Sequence, residues 1–147
     1  MANAVKAGAT YFAIVFGFAF LIGTVRVLVV APRLGDAPAV MLEAPAVLLF
    51  SWFVCSWCRT LYRLAHDPRT GLLMGAFAFG LLMAGELGVS FFLFKRSIAA
   101  YFATYATASG MIGFLGQLAF AAIPVIQARR PTSPDDGKEG GTRSQYR

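Results

Sequence analysis

The sequence predicts an all-α fold: an integral membrane bundle of four transmembrane helices with a short disordered C-terminal tail. Of its 147 residues, 58% are hydrophobic and only 14% are charged, whereas charged residues average about 25% in soluble domains. The apolar residues lie in long blocks. Blocks of about 18 or more indicate membrane spans, because roughly 20 helical residues cross the hydrocarbon core. The mean hydropathy of +0.65 agrees with this assignment.

The first two predicted spans cover residues 7–31 and 39–61. The first run is longer than the apolar core of a secretory signal, so we expect it to be retained as a helix. Pro32, Gly35 and Pro38 separate the two spans and predict a tight turn of about six residues. Such a short connection makes the two helices antiparallel neighbours.

The start of the second helix has two interpretations. In the first, Pro38 is the first helical residue and Pro45 kinks the helix. In the second, Pro45 lies in the first turn, a position that proline tolerates, and residues 37–44 lie at the membrane interface. Both interpretations make residues 23–45 a hairpin with charged residues on its flanks.

The third predicted span covers residues 71–94 and the fourth covers residues 98–127. Together the four spans form one domain, residues 1–130. Residues 131–147 have almost no apolar side chain. We predict that they form a disordered polar tail, because such a segment cannot bury enough apolar surface to fold.

Basic residues predict the orientation, since Lys and Arg in short flanking segments concentrate on the cytoplasmic side. One side carries Lys6, Arg59, Arg63, Arg69, Arg129, Arg130, Lys138, Arg143 and Arg147. The other side carries Arg33, Lys95 and Arg96. We therefore expect a bacterial inner-membrane protein with both termini in the cytoplasm. The net charge of +6 comes largely from these flanks, so we expect the lipid bilayer, and not nucleic acid, as the partner.

Arg26, Glu43 and Glu86 are charged residues inside the predicted spans. A charge in the middle of a membrane helix costs about 2.5–3.5 kcal/mol on insertion scales, so it is normally paired or faces a protected interior. A rise of about 1.5 Å per residue places all three in the half of the membrane nearer the hairpin. We predict that they form one intramembrane polar cluster. The side chains predicted to support it are Thr24, Ser90, Tyr101 and Thr104.

Two carboxylates against one guanidinium give this predicted cluster a surplus negative charge. A proton on Glu86, the side chain of Lys95 reaching inward, or a bound cationic ligand would each offset it. Alternatively, the cluster only holds the helices in register, as some buried ion pairs do. Gln117 is expected to lie in the opposite half of the membrane, away from these charges.

Small residues predict where membrane helices approach each other closely. Ala19 and Gly23 share a helix face with Arg26, which we therefore expect to point into the bundle. On the third span, a strip of small residues lies nearly opposite Glu86. It is predicted to allow close approach of another helix through Gly80, Ala84 and Gly88.

Other motifs carry less chemistry. Cys55 and Cys58 have the CxxC spacing of thiol redox sites, but the chain lacks the second cysteine pair that a membrane thiol oxidoreductase needs. We expect both thiols to pack as small apolar groups. The single histidine, His66, is expected to be solvated in a loop, and one histidine excludes a multi-histidine metal site within the chain. We predict no cofactor and no metal site.

Three segments carry a resemblance to a known family: RVLVVAPRLGDAPAVMLEAP at 26–45, SWFVCSWC at 51–58 and GELGVSFFLF at 85–94. They resemble the corresponding segments of small bacterial four-span membrane proteins without an assigned activity. The shared features are the RVLxxAPRLG hairpin, the ExP motif near the start of the second helix and the glutamate in the third. The resemblance covers residues 7–130 and implies the four-span fold, but no reaction.

Three classes of function remain, in decreasing order of support. The first is a structural or accessory component that associates with itself, as a homo-oligomer, or with a larger membrane complex. The second is a small proton-coupled transporter, acting as an oligomer, in which Glu86 alternates between a proton and a cationic substrate. The third is a membrane enzyme acting on lipid, for which the chain lacks a recognisable nucleophile and base.

Overall fold

The computed structural model describes residues 1–92, 95 and 97–129, and no strand occurs among them. The helices are α1 (Ala2–Val25), a π-helical turn (Arg26–Val30), α2 (Ala31–Leu34), α3 (Asp36–Leu61), α4 (Pro68–Phe92), α5 (Ile98–Thr104) and α6 (Ala108–Ala128). Within the described residues, four helical segments are long and apolar enough to cross a membrane: Ala2–Leu34, Asp36–Leu61, Pro68–Phe92 and Ala108–Ala128. The predicted all-α bundle of four transmembrane helices is confirmed. The predicted tail, 131–147, lies outside the described residues.

The connection between the first two spans is much shorter than the predicted six-residue turn. Only Gly35 interrupts the helices, with a φ of 85° that favours glycine. Pro38 lies in the first turn of α3, where the missing N–H breaks no helical hydrogen bond. Pro32 lies in α2, which continues the first span without a break. Pro45 is inside α3, as the first interpretation of this helix required.

The predicted fourth span, 98–127, is divided in two. Residues 105–107 separate α5 from α6. The side chain of Ser97 caps α5 by accepting a hydrogen bond from the backbone N–H of Ala100 at 3.2 Å. The side chain of Thr107 caps α6 by accepting one from Gly110 at 3.1 Å. Serine and threonine are preferred at this position because they satisfy the free N–H groups of a first turn.

The four long segments form a bundle in which α1 and α6 lie diagonally opposite each other. Each of these two helices packs against both α3 and α4. They meet through the rings of Tyr11 and Phe120, which stack with their centroids 4.4 Å apart. The buried core surrounds this stack and comprises Ala4, Ala7, Tyr11, Val15, Val54, Cys55, Cys58, Leu64, Met74, Ala78, Leu82, Phe120 and Ile123.

This core belongs to one end of the bundle, which we call the packed end. The packed end contains the N-terminus, the connection at 62–67 and the last turn of α6. The opposite end, which contains Gly35 and residues 105–107, is called the hairpin end. The outer surface of the bundle is apolar, with Leu28 71% and Phe92 79% exposed. Such a surface suits contact with lipid, in which apolar side chains lose nothing by exposure.

Pro124 interrupts the hydrogen bonding of α6 in the middle of the core. A proline has no N–H to donate to the carbonyl four residues earlier, which here is that of Phe120. The hydroxyl of Tyr11 donates to this carbonyl oxygen at 3.1 Å. A side chain from the diagonal helix therefore satisfies the acceptor that Pro124 leaves free. No water is available in hydrocarbon to do so.

Polar side chains at the packed end bond mainly to backbone carbonyls of neighbouring helices. Arg59, predicted as one of the basic residues flanking a span, is buried and donates to the carbonyls of Pro124 at 3.4 Å and Ala65 at 3.2 Å. Gln127 donates to the carbonyl of Trp52 at 2.8 Å. These bonds tie α3 to α6 where both helices end.

The long helices α4 and α6 approach each other closely at Gly71 and Gly75. A Cβ on Gly71 would stand 2.7 Å from the carbonyl oxygen of Pro124, and one on Gly75 would overlap the carbonyl oxygen of Ala121. Only glycine allows two backbones to approach so closely.

We expect Tyr11→Phe to destabilise the protein because it leaves the Phe120 carbonyl buried without a donor. The loss should be about 0.5–2 kcal/mol, the range for interhelical hydrogen bonds in membranes. Pro124→Ala supplies the missing N–H, so Tyr11→Phe should cost clearly less in that background. Unfolding of the four proteins in detergent measures the coupling. Equal losses in both backgrounds would contradict the assignment.

Candidate functional site

A cavity of about 710 Å³ occupies the bundle interior at the hairpin end. It is partly enclosed by α1, α3, α4 and the α5–α6 segment. Val15, Leu82 and Phe120 belong to both the cavity wall and the buried core, so the packed end forms its floor. The charged residues on its wall are Arg26, Asp36, Glu43 and Glu86.

Arg26 and Glu43 form an ion pair on this wall, with 2.5 Å between Arg26 Nε and Glu43 Oε2. The side chains are 25% and 16% exposed. The pair arises locally, because the single-residue break at Gly35 brings the end of α1 beside the start of α3. Gly23 lies beside the pair, since a Cβ there would stand at ordinary contact distance, 3.5 Å, from Glu43 Oε1.

Arg26 is also the first residue of the π-helical turn. The carbonyl of Arg26 accepts a hydrogen bond from the N–H of Ala31, five residues later, instead of from the residue four positions later. A π-turn acts as a one-residue insertion that rotates all later side chains around the helix axis, and such turns are frequent at functional sites. Here both Arg26 and Val27 line the cavity.

Glu86 lies on the same wall but has different partners. Gln117 Nε2 lies 2.7 Å from both carboxylate oxygens of Glu86. The hydroxyl of Tyr101 donates to Glu86 Oε2 at 3.3 Å, and the hydroxyls of Tyr101 and Tyr105 are 2.6 Å apart. Either hydroxyl can be the donor of that bond, and the hydroxyl of Tyr105 also lies 4.0 Å from Met83 Sδ. Gln117 and Tyr101 thus surround the Glu86 carboxylate with neutral hydrogen-bond donors.

The predicted single cluster of Arg26, Glu43 and Glu86 is thus two separate sets of contacts on one cavity. Arg26 is paired with Glu43, and among the described residues no Lys, Arg or His lies within 4.0 Å of the Glu86 carboxylate. The sequence predicts one group because the depth of each charge along its helix can be estimated from sequence, and the three depths are similar. Which of these side chains touch across the bundle cannot be estimated in this way.

The expectation that Gln117 lies far from these charges is wrong. It assumed one continuous helix over 98–127, in which Tyr101 and Gln117 would be about 24 Å apart along the axis at about 1.5 Å per residue. Both residues contact the one carboxylate of Glu86, so the chain must change direction between them. Thr107 and Gly110, a capping residue and a glycine within an apolar run, were the sequence signal for that break.

The predicted supporting residues have different positions. Tyr101 and Thr104 line the cavity, and Thr104 donates to the carbonyl of Tyr101 at 2.6 Å. Thr24 is exposed and donates to the carbonyl of Phe20 in its own helix at 2.8 Å. Ser90 is buried but does not line the cavity.

The predicted packing residues also divide into two groups. Ala19 lines the cavity, and Gly23 lies beside Glu43. Gly80 and Ala84 are exposed, and nothing in the described structure lies within 4 Å of a Cβ built at Gly80 or Gly88. This strip on α4 is therefore not where α4 packs within the chain. The close approach of α4 to α6 is at Gly71 and Gly75 instead.

Cys55 and Cys58 are fully buried free thiols in the core of the packed end, where they pack as small apolar groups. His66 is exposed. Among the described residues there is no group of three or more His, Cys, Asp or Glu side chains that could hold a metal ion.

Comparison with known proteins gives no match to this chain among family models, curated proteins or solved structures. The resemblance to small four-span membrane proteins therefore stays a prediction.

The two sets of contacts predict different energetic couplings. Arg26→Gln and Glu43→Gln should each destabilise the protein, and the double variant should cost less than their sum by about 1–3 kcal/mol, as for residues in direct contact. Arg26→Gln with Glu86→Gln should be close to additive. Unfolding in detergent measures both cycles. Additivity in the first cycle, or strong coupling in the second, would contradict the observed pairing.

Proposed function

We propose that this small multi-pass membrane protein binds a small organic cation at Glu86 and exchanges it for a proton, as a proton-coupled transporter does. One observation carries the proposal. Glu86 lines a cavity in the span region and has no cationic partner among the described residues. Ionisable residues inside membrane spans are costly and usually pair with each other or mark ion and substrate pathways.

The charge on the cavity wall favours a cation. The wall carries three carboxylates, those of Asp36, Glu43 and Glu86, and one guanidinium, that of Arg26. Because Arg26 and Glu43 neutralise each other, Asp36 and Glu86 remain as uncompensated carboxylates. A cation or a proton would offset the cost of the charge on Glu86 within the bundle.

The size and the aromatic walls of the cavity favour an organic cation over a bare ion. Small-molecule sites commonly enclose about 300–1,000 Å³ and are mainly apolar with a few polar groups. The cavity of about 710 Å³ falls in this range, and Phe16, Tyr105 and Phe114 contribute to its wall. Aromatic faces attract organic cations electrostatically, most strongly where water is excluded.

We further propose a location in the bacterial inner membrane with both termini in the cytoplasm, supported by the distribution of Lys and Arg described above. In that orientation the hairpin end, and with it the cavity, lies toward the outer face.

Benzyltrimethylammonium, a permanent aromatic cation, is a suitable probe. Glu86→Gln should lower its affinity at least about tenfold, or 1.4 kcal/mol, because the variant removes the carboxylate and keeps the size of the side chain. Asp67→Asn removes a loop carboxylate outside the cavity and should bind like the wild type. Calorimetry on protein in detergent micelles measures affinity. In weak buffer, proton release on binding should disappear in Glu86→Gln.

Neopentylbenzene, which has the same shape without the charge, should bind similarly to the wild type and to Glu86→Gln. Unchanged cation affinity in Glu86→Gln, or no binding to the wild type, would overturn the proposal. A large loss of thermal stability in Glu86→Gln, without an effect on binding, would instead indicate a structural role for Glu86.

A structural or accessory role is the second candidate, and the outer strip of α4 supports it. Gly80 and Gly88 have open space where a Cβ would stand, and small residues four apart let another membrane helix approach closely. In this case the protein assembles with itself or with a larger complex, and the Arg26–Glu43 pair fixes the register of its helices.

Gly80→Leu tests this second candidate by filling the strip. Purification from native membranes in mild detergent, followed by measurement of mass, should then show a smaller assembly than for the wild type. Gly17→Leu is the matched control, because that glycine on α1 also has open space where a Cβ would stand. A wild type that purifies as a monomer would exclude this candidate.

A further inference from the structure

The amide of Gln117 is only half satisfied. Its nitrogen lies 2.7 Å from each oxygen of Glu86, whereas its oxygen, Oε1, is buried and has no hydrogen-bond partner. An ionised carboxylate only accepts hydrogen bonds, so it requires the nitrogen side of the amide to face it. The orientation of Gln117 therefore matches the charged form of Glu86, and an unpaired acceptor is the consequence.

Oε1 of Gln117 is also out of reach of water. A buried acceptor without a donor is unfavourable, and a ligand in the cavity cannot reach it without displacing protein atoms. A proton on Glu86 needs no additional space.

Protonation of Glu86 would satisfy this acceptor directly. One oxygen of Glu86 gains an O–H bond, and that hydroxyl donates to Oε1 of Gln117. At the same time Nε2 of Gln117 donates to the other oxygen of Glu86, which closes a cyclic acid–amide pair with two hydrogen bonds. The change requires rotation of the Gln117 amide about its last torsion, which is soft.

We propose that Gln117 is a positioning residue with two states set by the proton on Glu86. In the charged state its N–H₂ group straddles the carboxylate, and in the neutral state it forms the cyclic pair. The proton comes from water in the cavity and returns there when a cation binds. This inference rests on the proposed function only in that a cation displaces the proton.

Several titratable groups share the cavity with this pair. Tyr101 and Tyr105 contribute from the α5–α6 segment, Asp36 and Glu43 from α3, and Arg26 from the π-helical turn. Within the described residues, α1 and α6 place no titratable side chain on the cavity wall. Because Tyr101 donates to Glu86, it can remain bonded to Glu86 in both states.

The test is a pH titration of protein in detergent micelles, followed by nuclear magnetic resonance of glutamine side-chain amides and glutamate side-chain carboxyls. Gln117→Leu assigns the Gln117 signal. If that variant does not fold, Gln127→Leu and Gln145→Leu assign it by elimination. We expect the Gln117 amide to titrate with the same midpoint as the Glu86 carboxyl, and to stop titrating in Glu86→Gln. Gln127 lies on α6 like Gln117 but donates to the carbonyl of Trp52 on α3, so it is the internal control and should not shift.

Benzyltrimethylammonium extends the test below the midpoint. Its addition should return the Gln117 signal to its high-pH position as the proton leaves Glu86. A Gln117 signal that stays constant while the Glu86 carboxyl titrates would overturn the inference, even if the cation binds. So would a Glu86 carboxyl that never titrates. Coincident titration without any cation binding would support the proton switch and remove the proposed transport function.

Discussion

The hydrocarbon core of a membrane offers no water, so each buried polar group in this bundle needs a partner from the chain itself. Pro124 removes the donor for the Phe120 carbonyl, and Tyr11 supplies another from the opposite helix. Arg59 and Gln127 likewise donate to carbonyls of helices that pack against their own. After the break at 105–107, the side chain of Thr107 caps the start of α6. Because these other polar groups are satisfied, the unpaired oxygen of Gln117 and the uncompensated charge of Glu86 indicate a site that takes up a proton or a ligand.

The two ends of the bundle differ in packing: one is close-packed and the other encloses a cavity. At the packed end, Gly71 and Gly75 let α4 and α6 approach closely, and the Tyr11–Phe120 stack fills the space between the diagonal helices. At the hairpin end the same helices enclose a cavity of about 710 Å³. A rigid packed end can hold the walls of that cavity apart, because close-packed interiors resist deformation. This arrangement suits a site that binds and releases a ligand.

The charges on the cavity wall have distinct parts in this arrangement. Arg26 and Glu43 come from adjacent segments of one hairpin and neutralise each other. Glu86 comes from α4 and is held by Gln117 and Tyr101, which donate hydrogen bonds without supplying positive charge. Neutral donors stabilise a carboxylate less than a cation does, so a proton or a cationic ligand can still compete for it. The proposed exchange at Glu86 depends on this difference.

The sequence by itself determined the all-α membrane bundle and the number of its spans, because the length of an apolar block is a local property that needs no knowledge of contacts. It did not determine that the fourth block is broken at 105–107 into α5 and α6. It also identified Arg26 and Glu43, whose proximity follows from a short turn. Only the tertiary structure decided that Gly35 alone makes that turn, that Glu86 bonds to Gln117, and that Gly71 and Gly75 rather than Gly80 and Gly88 bring helices together. Each of these depends on how helices distant in sequence face one another. Hydropathy gives the depth of a residue along a helix and leaves its neighbours across the bundle undetermined.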